Sequence, residues 1–196
     1  MALICVTGPA VEPVTLAEAR DHMRVDITDD DVLIAGLITA AREHLETICR
    51  PQLAMITQTW RYVADGWPAS DTLELRPWPL QSVTSVAYTS DAGVTATFAS
   101  SNYVVDTYSK PGRLRLKSTA SWPGTTLQVL NGLVVEFVAG YGNTSAAVPQ
   151  RLRQALLLLA AHWYENRELA VLTGAMPKQL PFSVDALMQH WRREVA

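Results

Sequence analysis

Cysteine is scarce in this chain: Cys5 and Cys49 are the two present. They form no metal or redox spacing, and one pair makes no disulfide framework in a chain of 196 residues. Both are expected to be reduced thiols in a reducing compartment. Long apolar runs are missing too. The most apolar stretch, Ala155 to Ala161, breaks at His162, far short of the ~20 residues a membrane helix needs. The N-terminus lacks a basic start followed by a long apolar run, so no signal peptide is expected. Basic charge is not in excess. Lys and Arg number 16 against 19 Asp and Glu, for a net charge of −3. A protein that holds nucleic acid by electrostatics alone needs many cations to neutralise phosphates. The charge is unevenly spread: the first fifty residues hold nine acids and four bases, residues 149–196 four acids and six bases. Ends of opposite sign favour head-to-tail contacts between copies, weakly and under salt screening.

What is present is apolar substance. At 48% hydrophobic, the chain can bury a real core as one domain, or as a small domain carrying an insertion. From Thr15 to Arg50 the pattern is helical. Thr15 and Glu18 make a T-x-x-E capping box, and a short helix to about Arg24 follows. Thr28 with Asp31 marks a second start, with Asp29, Asp30 and Asp31 at the positive end of the helix dipole. Ile34, Leu37, Ile38, Ala41, Leu45 and Ile48 then form one stripe at spacings of three and four, ended by Pro51.

From Ile56 to about Tyr141 the period becomes two. Thr59, Arg61 and Val63 alternate with Trp60, Tyr62 and Ala64. Further strands are expected at Thr72–Leu75, Ser82–Thr89, Val94–Phe98, Tyr103–Val105, Arg113–Leu116 and Leu127–Val138. Turn residues separate them, as in Ser90-Asp91-Ala92-Gly93 and Lys110-Pro111-Gly112. Short, frequent strands of this kind suit a small sandwich or open barrel. Helix returns with Pro149 as its first residue and runs to about Leu169. Leu156-Leu157-Leu158-Leu159 spans most of its circumference, so its own domain or a neighbouring subunit must cover it. A loop with Gly174, Pro177 and Pro181 leads to a last amphipathic helix striped by Val184, Leu187, Met188 and Trp191. The expected fold is α+β. Residues 1–55 and 146–196 form a helical bundle, because neither helical end buries its stripe alone, and residues 56–145 form a β-rich insertion.

Reaction chemistry is hard to place. Gly140-Tyr141-Gly142 lacks the third glycine and the following Lys of a phosphate loop, and reads as a turn. Asp29-Asp30-Asp31 has no EF-hand glycine or closing Glu, and reads as a helix start. His162 and Glu165 share a helical face at ligand spacing, but no second such pair exists to complete a site. Cys49 and His44 are badly spaced for a nucleophile and base, and no nucleophile elbow is present. Arg113, Arg115 and Lys117 lie on one face of a strand, with Lys110 in the turn before. That face is either a solvated or edge strand guarded by charge, or a contact to an acidic partner or passing DNA.

Three segments are distinctive in their order: Val134-Val135-Glu136-Phe137-Val138-Ala139-Gly140-Tyr141-Gly142, then Val148-Pro149-Gln150-Arg151-Leu152-Arg153-Gln154-Ala155, then Ala161-His162-Trp163-Tyr164-Glu165-Asn166-Arg167-Glu168. Together they resemble the head–tail connector (adaptor, or head-completion) proteins of long-tailed phages, prophages and gene transfer agents. Val14-Thr15-Leu16-Ala17-Glu18-Ala19, the Asp29-Asp30-Asp31 helix, Gln58-Thr59-Trp60, Pro79-Leu80-Gln81-Ser82-Val83 and Leu180-Pro181-Phe182-Ser183-Val184 are similar as well. The likeness spans nearly the whole chain. It implies a structural virion protein without catalytic residues, metal or cofactor: a ring, usually of twelve copies, docked under the portal and open for DNA. It further implies a tail-side stopper or tail terminator as the second neighbour, a place in the neck of the virion, assembly in the host cytoplasm, and no membrane. On that reading Leu156, Leu157, Leu158 and Leu159 are subunit–subunit contacts. Asp29, Asp30 and Asp31 face the channel, and Arg113, Arg115 and Lys117 touch a partner. Val184, Leu187, Met188 and Trp191, with Arg192 and Arg193 at the helix end, either bind portal or close their own bundle. A host-type module that holds a ligand or peptide on its β-rich insertion is the alternative of a different class.

Overall fold

The computed structural model describes residues 1–49, 52–166 and 182–192, and in them the chain is α+β, with four helices and antiparallel sheets. It divides into two units, Met1–Ala10 with Pro51–Tyr141, and Val11–Arg50 with Gly142–Ala196.

The first unit holds the strands: β1 (Ala2–Thr7), β2 (Gln58–Ala64), β3 (Thr72–Leu75), β4 (Leu80–Thr89), β5 (Thr95–Thr97), β6 (Tyr103–Asp106), β7 (Gly112–Leu116) and β8 (Leu133–Ala139). One sheet has the order β1-β2-β8-β4-β5, and a second has the order β3-β7-β6. Every neighbouring pair of strands is antiparallel. Alternation explains what each strand buries. In β8, Leu133, Val135, Phe137 and Ala139 are buried while Val134, Glu136 and Val138 are half-buried. In β7, Leu114 and Leu116 are buried while Arg113 and Arg115 are exposed. Leu73, Leu75, Tyr103, Leu114 and Leu116 of the smaller sheet share one apolar cluster with Trp60, Val86, Leu133, Val135 and Phe137 of the larger. Each such side chain contributes about 1.5–3 kcal/mol by burial. The long connection before β8 is pinned by aromatics. Trp67 stacks on Trp122 at 5.5 Å, and their indole N–H groups donate to the carbonyls of Thr125 and Ser70.

Two strand expectations change. β1 is a strand in a stretch for which the pattern suggested no element, and it pairs Ala2 with Val63 through Cys5 with Trp60. The strand expected from Leu127 begins at Leu133 instead. Leu127 makes an isolated bridge to Ser90, and Asn131 turns the chain at φ 58 with its N–H held by the Asp65 carboxylate at 2.8 Å.

The second unit is helical: α1 (Leu16–Met23), α2 (Asp31–Ile48), α3 (Gln150–Glu165) and α4 (Phe182–Arg192). The capping box of α1 is present in full, and Arg24 ends it in a left-handed conformation at φ 57. On α2 the stripe buries Ile34, Ile38, Ala41 and Leu45. It also buries Arg42, whose guanidinium pairs with Glu46 at 2.9 Å and Glu12 at 2.8 Å. Burying that charge is tolerable because both carboxylates are beside it. On α3, Leu152, Ala155, Leu156, Leu159 and Ala160 are buried. Arg153 donates to the Pro13 carbonyl at 3.0 Å and to the Glu18 carboxylate, tying α3 to the start of α1.

The helix ends differ slightly from expectation. α2 starts at Asp31 with Asp30 as its cap, and Thr28 stays outside, its carbonyl accepting the Asp31 N–H in a turn. Pro149 caps α3 in an extended conformation (ψ 134) rather than being its first residue. Asn166 closes α3, donating main-chain and side-chain N–H groups to the His162 carbonyl. Residues 167–169 of the expected helix, the loop with Gly174, Pro177 and Pro181, and the stop at Pro51 lie outside the described residues.

Candidate functional surfaces

The leucine run divides. Leu156 and Leu159 are sealed inside the helical unit, while Leu157 and Leu158 are half-buried. A helix turns about 100° per residue, so four consecutive side chains cannot share one neighbour. The expectation that all four meet another subunit fails for Leu156 and Leu159, whereas Leu157 and Leu158 keep some exposed surface. Leu158 lines a cleft with His22, Arg24, His162, Glu165 and Ser183.

The stripe of α4 faces α3. Val184 and Met188 are fully buried and Trp191 nearly so, whereas Leu187 is half-buried. Of its two possible roles, the stripe takes the internal one, closing its own unit. An apolar contact of Val184, Met188 and Trp191 with a portal is thus not available while α4 stays docked. The side chain of Arg192 and the whole of Arg193 lie outside the described residues.

Of the three acids at the start of α2, Asp29 is exposed. Asp30 accepts the Tyr164 hydroxyl at 2.5 Å, and Asp31 faces Arg20 at 3.4 Å. Two of the three expected channel-facing carboxylates are thus engaged within the unit.

Arg113 and Arg115 share the exposed face of β7, and Lys117 follows them. β7 is the middle strand of its sheet, which corrects the edge-strand reading. Arg113 sits opposite Glu74 on one side and Asp106 on the other, and pairs with Asp106 at 2.7 Å. The Asp106 carboxyl is held far below its usual range, first by the Ser109 hydroxyl and then by Arg113 and the Tyr108 N–H. Arg115 sits opposite Thr72 and Val104. Neither Arg115 nor Lys117 has an ion pair among the described residues, so they are the cations left to act outward. Lys110 is elsewhere engaged, 4.6 Å above the Trp78 ring.

The glycine turn is no phosphate cradle. The Gly140 N–H donates to the Pro79 carbonyl and the Tyr141 N–H to that of Met55. Gly140 has φ +133, and a Cβ there would lie 2.5 Å from the Ile56 backbone. Among the described residues no group of three or more His, Cys, Asp or Glu is placed to hold a metal ion. None of their helices is long and apolar enough to cross a membrane. Cys49 is buried, and His44 is spent edge-on against Trp163 at 5.8 Å.

Two exposed apolar features escaped the sequence reading. One is β1, with Ile4 and Val6 open to solvent; the other is the turn tip at Val129 and Leu130. In β1 an apolar run without alternation gives no sign of which side is covered, and Val129 and Leu130 fall within the strand expected from Leu127 that forms only from Leu133.

The comparisons with known proteins agree with this picture. A family model described as phage gp6-like head–tail connector protein matches residues 13–106. The neck of an empty gene transfer agent particle, computed with C6 symmetry, contains a chain of the same fold, with a TM-score of 0.82 and 28% identity over 100% of this chain and 97% of that one. These matches support a head–tail connector protein. Chains of the same fold occur in the native gene transfer agent virion (TM-score 0.81) and in the neck of the native particle computed with C12 symmetry (0.78), each at 28% identity over 100% of this chain and 97% of that one. None of the curated proteins matches the chain. The connector family and the neck chains are structural proteins of virions, not enzymes.

Proposed function

We propose that the chain is a structural component of a virion neck, forming a ring that joins the portal of the head to the tail and leaves a channel for DNA. The observation that carries this is the likeness over 100% of the chain to neck proteins in particles computed with C6 and C12 symmetry. Twelve copies, assembled in the host cytoplasm, are the proposed ring. The partners are the portal on one side, a stopper or tail terminator on the other, and passing DNA without specific contact. Residues 56–145 serve as a β-rich insertion between the helical parts, joined in their unit by the N-terminal strand β1. Leu157 and Leu158 are the part of the leucine run open to a neighbouring copy, Asp29 is the acid open to the channel, and Arg115 and Lys117 are the cations open to an acidic partner.

Electron microscopy of the purified chain, alone and mixed with the portal of its particle, tests the reading. Rings of about twelve copies seated on the portal are expected, twelve being the symmetry of the matched neck. Monomers that ignore the portal at high concentration would sink it.

A further inference from the structure

The five-stranded sheet ends in two edges, β1 and β5, and among the described residues neither has a strand on its outer side. Natural edge strands are guarded by charge, proline, bulges or brevity, because their open N–H and C=O groups invite pairing. In the smaller sheet the edge strands carry such guards, Glu74 in β3 and Asp106 in β6. The larger sheet differs. Ala2–Thr7 and the stretch 94–99 around β5 hold no charged residue and no proline. A bulge near Val6 bends the end of β1 and leaves Ala2–Cys5 straight, with Ile4 49% exposed. At the other edge Val94 is 64% exposed.

Resting on the ring reading above, we propose that β1 of one copy pairs with β5 of the next, so that the sheet continues from subunit to subunit. A ring needs a head-to-tail contact between two different surfaces, and one sheet here supplies both. Direction follows from topology. Four antiparallel steps separate β1 from β5, so the two run the same way, and rotation about a ring axis makes the junction parallel. Faces follow as well. Cys5 lies opposite Trp60 and Phe137, and Ala96 lies opposite Tyr88 and Leu133, so both belong to the core side of the sheet. Ile4, Thr95 and Thr97 belong to the other side. Twelve copies of five strands at about 4.8 Å spacing close at a radius of about 46 Å, room enough to surround a duplex.

Cys5 is an exposed native thiol, which makes the pairing testable in the full chain. Mild oxidation of Ala96→Cys, or of Val94→Cys if the register is shifted by two, is expected to give a ladder of covalent multimers. The ladder should vanish in the same variants carrying Cys5→Ser, and should not form with Thr97→Cys on the opposite face. Ile4→Lys should keep the wild-type thermal transition, yet need about tenfold more protein to assemble. Wild-type dimers linked Cys5 to Cys5 would show β1 pairing with itself and overturn the proposal. Rings in the microscope without any ladder would overturn it while leaving the ring reading intact. Neither rings nor ladder would overturn both.

Discussion

Gly140 sits where the chain leaves β8 with no room for a side chain. The φ of +133 and the 2.5 Å approach to Ile56 act together, and Gln81 donates to its carbonyl at 2.7 Å. Gly140→Ala is expected to cost about 2–4 kcal/mol, from backbone strain plus overpacking, read as a lower midpoint in urea. Glu18 answers to pH. Its carboxyl is held below the ordinary 4.5, chiefly by the Thr15 N–H and also by Arg153. A lowered folded value means stability that is present above about 4.5 and lost as pH falls through the folded value. Glu18→Gln should therefore be less stable than wild type at neutral pH. The gap, on the order of 1 kcal/mol or less for a partly exposed pair, should close in thermal melts taken at falling pH below 4.5. Local chemistry of this kind was legible in the spacing of Thr15 and Glu18. The fate of Asp30 was not, because its partner Tyr164 comes from a helix far along the chain.

At the level of elements, α4 is where pattern alone could not decide. A stripe of Val184, Leu187, Met188 and Trp191 declares an amphipathic helix but not whose surface it covers. Since Val184, Met188 and Trp191 are buried in the described structure, removal of residues 182–196 is expected to destabilise the protein. Each lost apolar side chain is worth about 1.5–3 kcal/mol. A truncated chain whose thermal transition matches the wild type would show that α4 contributes nothing to its own unit. The strands that alternate were readable: β3 falls where expected, as do β4, β6 and β7 to within a residue or two. β1 was not, because Ala-Leu-Ile-Cys-Val-Thr is apolar up to its last residue and shows no period, and its partner β2 lies more than fifty residues away.

At the scale of the whole molecule, charge bears on how tightly the chain can hold a duplex. With a net charge of −3, and with Arg42, Arg113 and Arg153 committed to carboxylates, the proposed ring would offer passing DNA little to hold. Electrophoretic titration at physiological salt should find duplex affinity no tighter than ordinary non-specific binding, roughly 10⁻⁴–10⁻⁶ M. Tight binding with a steep salt slope would contradict this.

β8 is the middle strand of the larger sheet, and β2 and β4 touch it rather than each other. During synthesis the chain therefore makes both flanks first, and the strand that must lie between them emerges last. Until residues 133–139 leave the ribosome, β1 with β2 and β4 with β5 are two separate ribbons, each marginal in water. The unit should thus fold essentially all at once after translation, in a slow step dominated by long-range closure. Val135→Ala, at the crossing of both ladders, is expected to slow refolding more than it speeds unfolding in stopped-flow measurements. A chain stalled before residue 133 should still show the β-rich unit open to protease.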